Sequence, residues 1–200
     1  LNRYLKNAQM YTQRQQEILN TALELINKKG IQGLTIKNLS KKIGISEPAI
    51  YRHFENKIEI LSAVLSLFQH NSSQIFKEEL AEQHSATAKI SMLFKSHFKL
   101  IAATPALSAV IFSEEIFRNE PQLVNKITEI IERNQQMVAE IIVQGQKAGE
   151  IKNNIDAKNL STIVLGTLRL FVKNWQFSAF SFDLEHEGEK VIDDILKLIE

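Results

Sequence analysis

The stretch Thr35–Leu61, TIKNLSKKIGISEPAIYRHFENKIEIL, decides the fold. Thr35 has an N-cap side chain, and apolar Ile36, Leu39 and Ile43 follow at intervals of three and four, the repeat of one helix face. Gly44 ends that helix, because glycine enters the left-handed conformation a helix stop needs. Ser46 stands where a second helix is capped, and Pro48 falls in its first turn, where a missing N–H is no loss. About two turns later, Asn56 and Glu59 have the spacing of a capping box for the next, long helix. Helix, tight turn and short helix make a helix-turn-helix, whose second helix enters the DNA major groove.

The rest of the chain reads as helical on both sides of this segment. Upstream, Thr12 and Gln15 form a capping box, and Ile18, Ala22, Leu25 and Ile26 mark an apolar face that runs to Gly30. Downstream, the spacing predicts a long helix from Asn56 to about residue 83, another over 86–103, and a shorter one from Thr104-Pro105 towards Asn119. Pro121 opens a helix reaching Lys147, Asp156 caps one reaching about Ala179, and a last one covers 189–199. The class is all-α: a flexible extension over 1–12, a helix-turn-helix domain over 13–60, and a larger helical domain over 61–200.

Composition narrows the function classes. Residues 1–60 hold ten Lys/Arg against five Asp/Glu, whereas residues 61–200 hold 14 against 18, so a basic module precedes an acidic remainder. That asymmetry suits a chain whose first part meets a polyanion. Zero cysteines exclude disulfides and thiolate chemistry within the chain. No apolar run approaches the length of a membrane span, and Leu1–Asn20 has no signal-peptide pattern, which fits the cytoplasm. His70, His84 and His97 are spaced by 14 and 13, which gives no helical pair of metal ligands, and no nucleophile elbow or phosphate-cradling loop appears. The reading is therefore a non-enzyme without metal or cofactor.

Gln13–Leu61, with Gly30, Thr35, Gly44-Ile45-Ser46, Tyr51, His53-Phe54 and Lys57, resembles the DNA-binding domain of the TetR family of bacterial transcriptional regulators. The resemblance implies that Ser46 to His53 is the recognition helix, that Tyr51, His53 and Lys57 grip phosphates, and that Thr35 and Lys37 touch the backbone from the preceding helix. Arg52 belongs to the same surface. Lys57 also lies at a helix N-terminus, where free N–H groups favour phosphate. Glu47, Pro48 and Ala49 form the tip towards the bases. Glu47 has two open readings, an acceptor for cytosine N4 or a helix-dipole partner, and the other two offer apolar contact to thymine methyls. Arg3, Lys6 and Arg14 extend the basic surface.

One short recognition helix reads few bases, so two copies on a palindrome are expected. The helix over 156–179 is apolar on more than one face, and the resemblance implies a homodimer contact through it and the last helix. It also implies an effector pocket with Phe94, His97, Phe98, Ile101, Phe112, Phe117, Met137, Leu168, Phe171 and Trp175 as candidates, suited to a hydrophobic or aromatic ligand. The same residues equally serve as core filler. The expected function is a repressor released from its operator by such an effector, through a two-state pivot of the long helix. The alternative is a helical protein-interaction module that keeps the fold without operator binding.

Overall fold

The computed structural model describes residues 10–79, 84–113 and 120–200. Among the described residues the chain forms nine α-helices and no strand. They are α1 (Gln13–Lys29), α2 (Ile36–Ile43), α3 (Glu47–Tyr51), α4 (Lys57–Glu79), α5 (Ala86–Ala103), α6 (Pro105–Ile111), α7 (Pro121–Ala148), α8 (Ala157–Phe177) and α9 (Leu184–Ile199), with a 3-10 turn at Ile31–Gly33. Residues 1–9 with Arg3 and Lys6, Phe117, the expected last residues of α4 before Gln83, and the expected helical stretch up to Asn119 lie outside the described residues.

The helices divide into two compact units. One comprises the chain as far as Asn71 together with Ala103–Ile127, and the other Ser72–Ala102 together with Thr128–Glu200. The boundary expected after residue 60 falls inside α4, which continues without a break.

In the first unit α1 packs on α2 and on α6. Its core is largely aliphatic: Ile18, Leu19, Ala22, Leu34, Leu39 and Ile50 are fully buried, and Phe54, Phe68 and Phe112 are nearly so. Local signals fix the ends of its helices. The Thr12 hydroxyl accepts from Gln15 N while Gln15 Oε1 accepts from Thr12 N at 3.0 Å, a complete capping box. Two bonds across the unit tie α1 down: Glu24 pairs with Lys42 of α2, and Gln15 Nε2 donates to the His53 carbonyl at 3.5 Å.

The second unit has an aromatic core. Phe94 and Phe98 of α5 meet edge to face at 5.9 Å, Phe98 meets Phe171 of α8 at 5.7 Å, and Phe171 meets Phe182 at 5.4 Å. Gly188 makes room for this ladder, since a Cβ there would stand 2.4 Å from Phe98 Cδ2. The last helix consequently begins earlier than the expected residue 189. Gly188 lies inside α9 as a packing site, and Asp183 caps the helix by accepting from Glu185 N and His186 N at 3.0 Å.

After Phe177 the chain turns through Ala179 and Phe180, both in the left-handed region at φ 54° and 64°. Non-glycine residues adopt that conformation at a cost. Here the Trp175 ring offsets it, packing edge-on to Phe180 at 4.6 Å while its Nε1 donates to the Phe182 carbonyl at 2.9 Å.

Candidate nucleic-acid interface and effector region

The recognition segment is built from backbone geometry more than from side-chain caps. Thr35 is extended (φ −132°, ψ 153°) and its hydroxyl accepts from Asn38 N at 3.1 Å, which starts α2 as its sequence requires. Gly44 ends α2 at φ 81°, and the N–H groups of Gly44 and Ile45 both donate to the Ser40 carbonyl, at 2.9 and 3.1 Å. Ser46 starts α3 differently from expectation: its hydroxyl makes no capping bond, and only its carbonyl serves, accepting from Ala49 N at 3.0 Å and Ile50 N at 3.3 Å. That hydroxyl is exposed and stays available to solvent or to a ligand.

The helix proper is five residues long, and His53 N and Phe54 N prolong it as a turn by donating to the Ile50 carbonyl at 2.9 and 3.1 Å. Buried Ile50 and Phe54 anchor this segment in the core. Their burial turns the side of Pro48, Tyr51 and Arg52 outward, all three exposed, and Ser46, which precedes the helix, is exposed as well. Tyr51 is half exposed, at 50%, which keeps it out of the first unit's core. Thr35 and Lys37 on α2 are exposed as well, while Glu47, Ala49 and His53 are half-buried.

The start of α4 departs from the expected capping box. Asn56 Oδ1 accepts from Ile58 N at 2.8 Å and Glu59 N at 3.0 Å, as predicted, but the Glu59 carboxylate reaches back to Glu55 N rather than to Asn56 N. Two of the helix's first N–H groups are thus already satisfied. Lys57 is half-buried, and its Nζ donates to the Ile31 carbonyl at 3.0 Å. This bond positions the ammonium at the start of α4.

The expected pocket residues divide by burial. Phe94, Phe98, Ile101, Leu168 and Trp175 are buried in the second unit, while His97, Met137 and Phe171 there are half-buried. Phe112 is buried in the first unit. Burial pushes the His97 imidazole down to about 4, which keeps it neutral at physiological pH. Phe180 and Phe182 also join the aromatic ladder, and sequence reasoning missed both because a loop has no periodicity to flag them. Ser72 Oγ and Gln176 Oε1 are buried in the second unit without a hydrogen-bond partner, polar points that no motif marks.

The outer face of α8 is the other feature of this unit. Leu160, Val164, Leu168, Val172 and Trp175 are buried, but Ile163, Leu170 and Phe177, spaced by seven, are 56, 62 and 76% exposed. On α9, Leu198 is 76% exposed, and Val191 and Ile195 on the same face are half-buried.

Among the described residues no helix is long and apolar enough to cross a membrane, and no group of three or more His, Cys, Asp or Glu is placed to hold a metal ion.

A helix-turn-helix with an outward recognition helix, followed by a larger helical unit with an aromatic interior, defines a DNA-binding transcriptional regulator that answers to an effector. Residues 18–64 match the family model of bacterial regulatory proteins of the tetR family, and residues 69–198 match that of the C-terminal region of YsiA-like proteins. The chain belongs to the TetR family of bacterial regulatory proteins. It is 27% identical to the fatty acid metabolism regulator protein of Bacillus subtilis over 88% of this chain and 91% of that one. It is 24% identical to a probable acrEF/envCD operon repressor of Escherichia coli, over 92% of this chain and 85% of that one. Among solved structures, the transcriptional regulator FadR of Bacillus subtilis in complex with stearoyl-CoA matches 92% of this chain and 98% of its own, with a TM-score of 0.76 and 25% identity.

Proposed function

We propose that this regulator is a homodimeric repressor that leaves a palindromic operator when a long-chain acyl thioester binds its second unit. The observation that carries the reading is the 92% coverage by a relative whose structure holds stearoyl-CoA. The aromatic ladder Phe94–Phe98–Phe171 supports it, because an acyl chain needs apolar walls. His97, held neutral, adds a polar contact that costs little to bury beside an uncharged thioester. This narrows the expectation of a hydrophobic or aromatic ligand to the aliphatic class. The site of action is the cytoplasm, where both DNA and acyl thioesters are met.

DNA docking follows from the exposed side of α2 and α3. Thr35, Lys37, Ser46, Tyr51, Arg52, His53 and Lys57 hold the phosphates, while Glu47, Pro48 and Ala49 face the base edges. Two recognition helices about 34 Å apart, or a multiple of that, read the two half-sites. The exposed stripes of α8 and α9 support self-association, since three large apolar side chains on one helix gain by leaving water. Helix α4 continues without a break from Lys57 to Glu79 and transmits the change.

A gel shift with the DNA flanking its own gene tests the reading. Retarded DNA, released by micromolar stearoyl- or palmitoyl-CoA but not by free CoA, is the expected result. Retention under acyl-CoA with release by an aromatic acid removes the acyl assignment. The absence of any shift favours the protein-interaction alternative.

A further inference from the structure

Helices α2 and α7 stop on glycines at positive φ, Gly44 at 81° and Gly149 at 76°. Helix α8 makes such a stop without glycine. The Phe180 N–H donates to the Trp175 carbonyl at 2.9 Å and the Ala179 N–H to the Gln176 carbonyl at 3.1 Å. That pair of bonds puts position 179 where a helix stop ordinarily has glycine, and Ala179 is there at φ 54°. Its side chain is exposed, so packing does not explain the choice. Phe180 follows at φ 64°, a second departure in succession. In the turn before them, Gln176 Oε1 is buried without a hydrogen-bond partner, a further cost at the same place. Strain gathered in one short segment marks clamps and switches.

The aromatic ladder shows what this segment closes. Phe94 and Phe98 are fully buried, whereas Phe171 and Phe182, at the other end, are half-buried. Phe182 leaves the strained turn and lies on Phe171 at 5.4 Å. Its carbonyl is held by Trp175 Nε1 at 2.9 Å, and the Trp175 ring meets Phe180 at 4.6 Å. The turn, the Trp175 ring and the last ring of the ladder are therefore tied to one another. Phe171 and Trp175 lie on the inner side of α8, away from Ile163, Leu170 and Phe177. An apolar ligand that reaches Phe98 from this end has to displace Phe182, and the strained stop lowers the cost of letting it go.

We infer that the turn over 178–182 is a gate: Phe182 closes the aromatic ladder, and release of the strained stop admits an apolar effector to it. The inference rests on the acyl-effector reading and adds the route of entry and the residue that closes it.

Trp175 is the only tryptophan of the chain and is bonded to the turn, so its fluorescence reports the gate. In stopped-flow mixing with palmitoyl-CoA, the rate of change in Trp175 emission is expected to level off as ligand rises, because opening precedes entry. Ala179→Gly relieves the stop at an exposed position and is expected to slow that limiting rate about fivefold. Phe182→Ala removes the closing ring and is expected to raise it about fivefold. Limiting rates alike in all three proteins, a rate that stays proportional to ligand, or a silent Trp175 overturns the inference. A melting temperature raised by palmitoyl-CoA leaves the effector reading standing in each of those cases. A wild type whose melting temperature palmitoyl-CoA does not raise removes that reading, and the inference with it.

Discussion

The recognition unit and the aromatic unit are both helical, yet they are held together at different ranges. In the first, the bonds that start its helices join residues close in sequence: Thr12 with Gln15, Thr35 with Asn38, Asn56 with Ile58 and Glu59. In the second, the ladder joins Phe94 and Phe98 to Phe171 and Phe182, rings more than seventy residues apart, and places half-buried His97 on the same helix as the first two. Short-range rules specify the first unit, and only the folded chain assembles the second. The proposed function follows the same division: the first unit would present side chains to a fixed geometry, the DNA duplex, and the second would shape an interior around a ligand. Substitutions on the DNA face are expected to alter operator binding with little change in stability, and those in the aromatic unit to alter stability and effector response while leaving the DNA contacts in place.

The largest expected effect tests the first half of that contrast. Tyr51→Phe combined with Lys57→Met removes two phosphate contacts per protomer and four per dimer, and operator affinity is expected to fall about a hundredfold or more. The salt dependence, measured by gel shift at several ionic strengths, flattens by about two units as two cationic contacts are lost. Unfolding stability changes by about 1 kcal/mol, the value of the Lys57–Ile31 hydrogen bond. A large stability loss with unchanged salt dependence breaks the contrast, because Lys57 is then a structural tie of the first unit and not a phosphate contact.

These differences in range explain what the sequence revealed. The boundaries of α2 follow from Thr35 and Gly44 alone, since an N-cap and a left-handed stop are properties of single residues. Residue type does not show whether a cap bonds through its side chain, and Ser46 bonds only through its carbonyl. The expected start of α9 at residue 189 missed the cap at Asp183, and nothing in its residue type shows that Gly188 lies inside the helix and admits a ring. The α8 pattern was legible as apolar on more than one face, but which face stays exposed is decided by the helices that cover the other. Phe180 and Phe182 carry no signal at all, being placed by a left-handed turn at Ala179 and Phe180 that those two residue types disfavour.

A second, smaller effect tests the aromatic unit. Burial lowers the His97 pKa from 6.5 to about 4, so the unfolded chain binds a proton there more readily than the folded one. The contribution to stability is complete above pH 6.5 and declines as pH falls towards 4. Between pH 7 and pH 5 this amounts to about 2 kcal/mol. Urea unfolding at both values is expected to show that loss in the wild type and a smaller one in His97→Asn. An equal loss in both places the acid sensitivity elsewhere, and with it the claim that His97 is buried neutral.

The smallest effect concerns Glu47, where the two regions' logics meet in one residue. It is half-buried at the start of α3, beside the positive end of a helix only five residues long. As a dipole partner it would contribute a few tenths of a kcal/mol to about 1 kcal/mol of stability. As an acceptor for cytosine N4 it would contribute about 1–3 kcal/mol of discrimination at one base pair of each half-site. Glu47→Gln separates these, because a glutamine keeps the size and an oxygen acceptor but loses the charge. Selection of operators from a randomised pool is expected to show relaxed preference at one symmetric position, with thermal stability nearly unchanged. A uniform rise in affinity for every sequence, together with a lower melting temperature, assigns Glu47 to the helix instead. Loss of its negative charge then removes a general repulsion of DNA, and base reading falls to the apolar contacts of Pro48 and Ala49 and to the deformability of the operator itself.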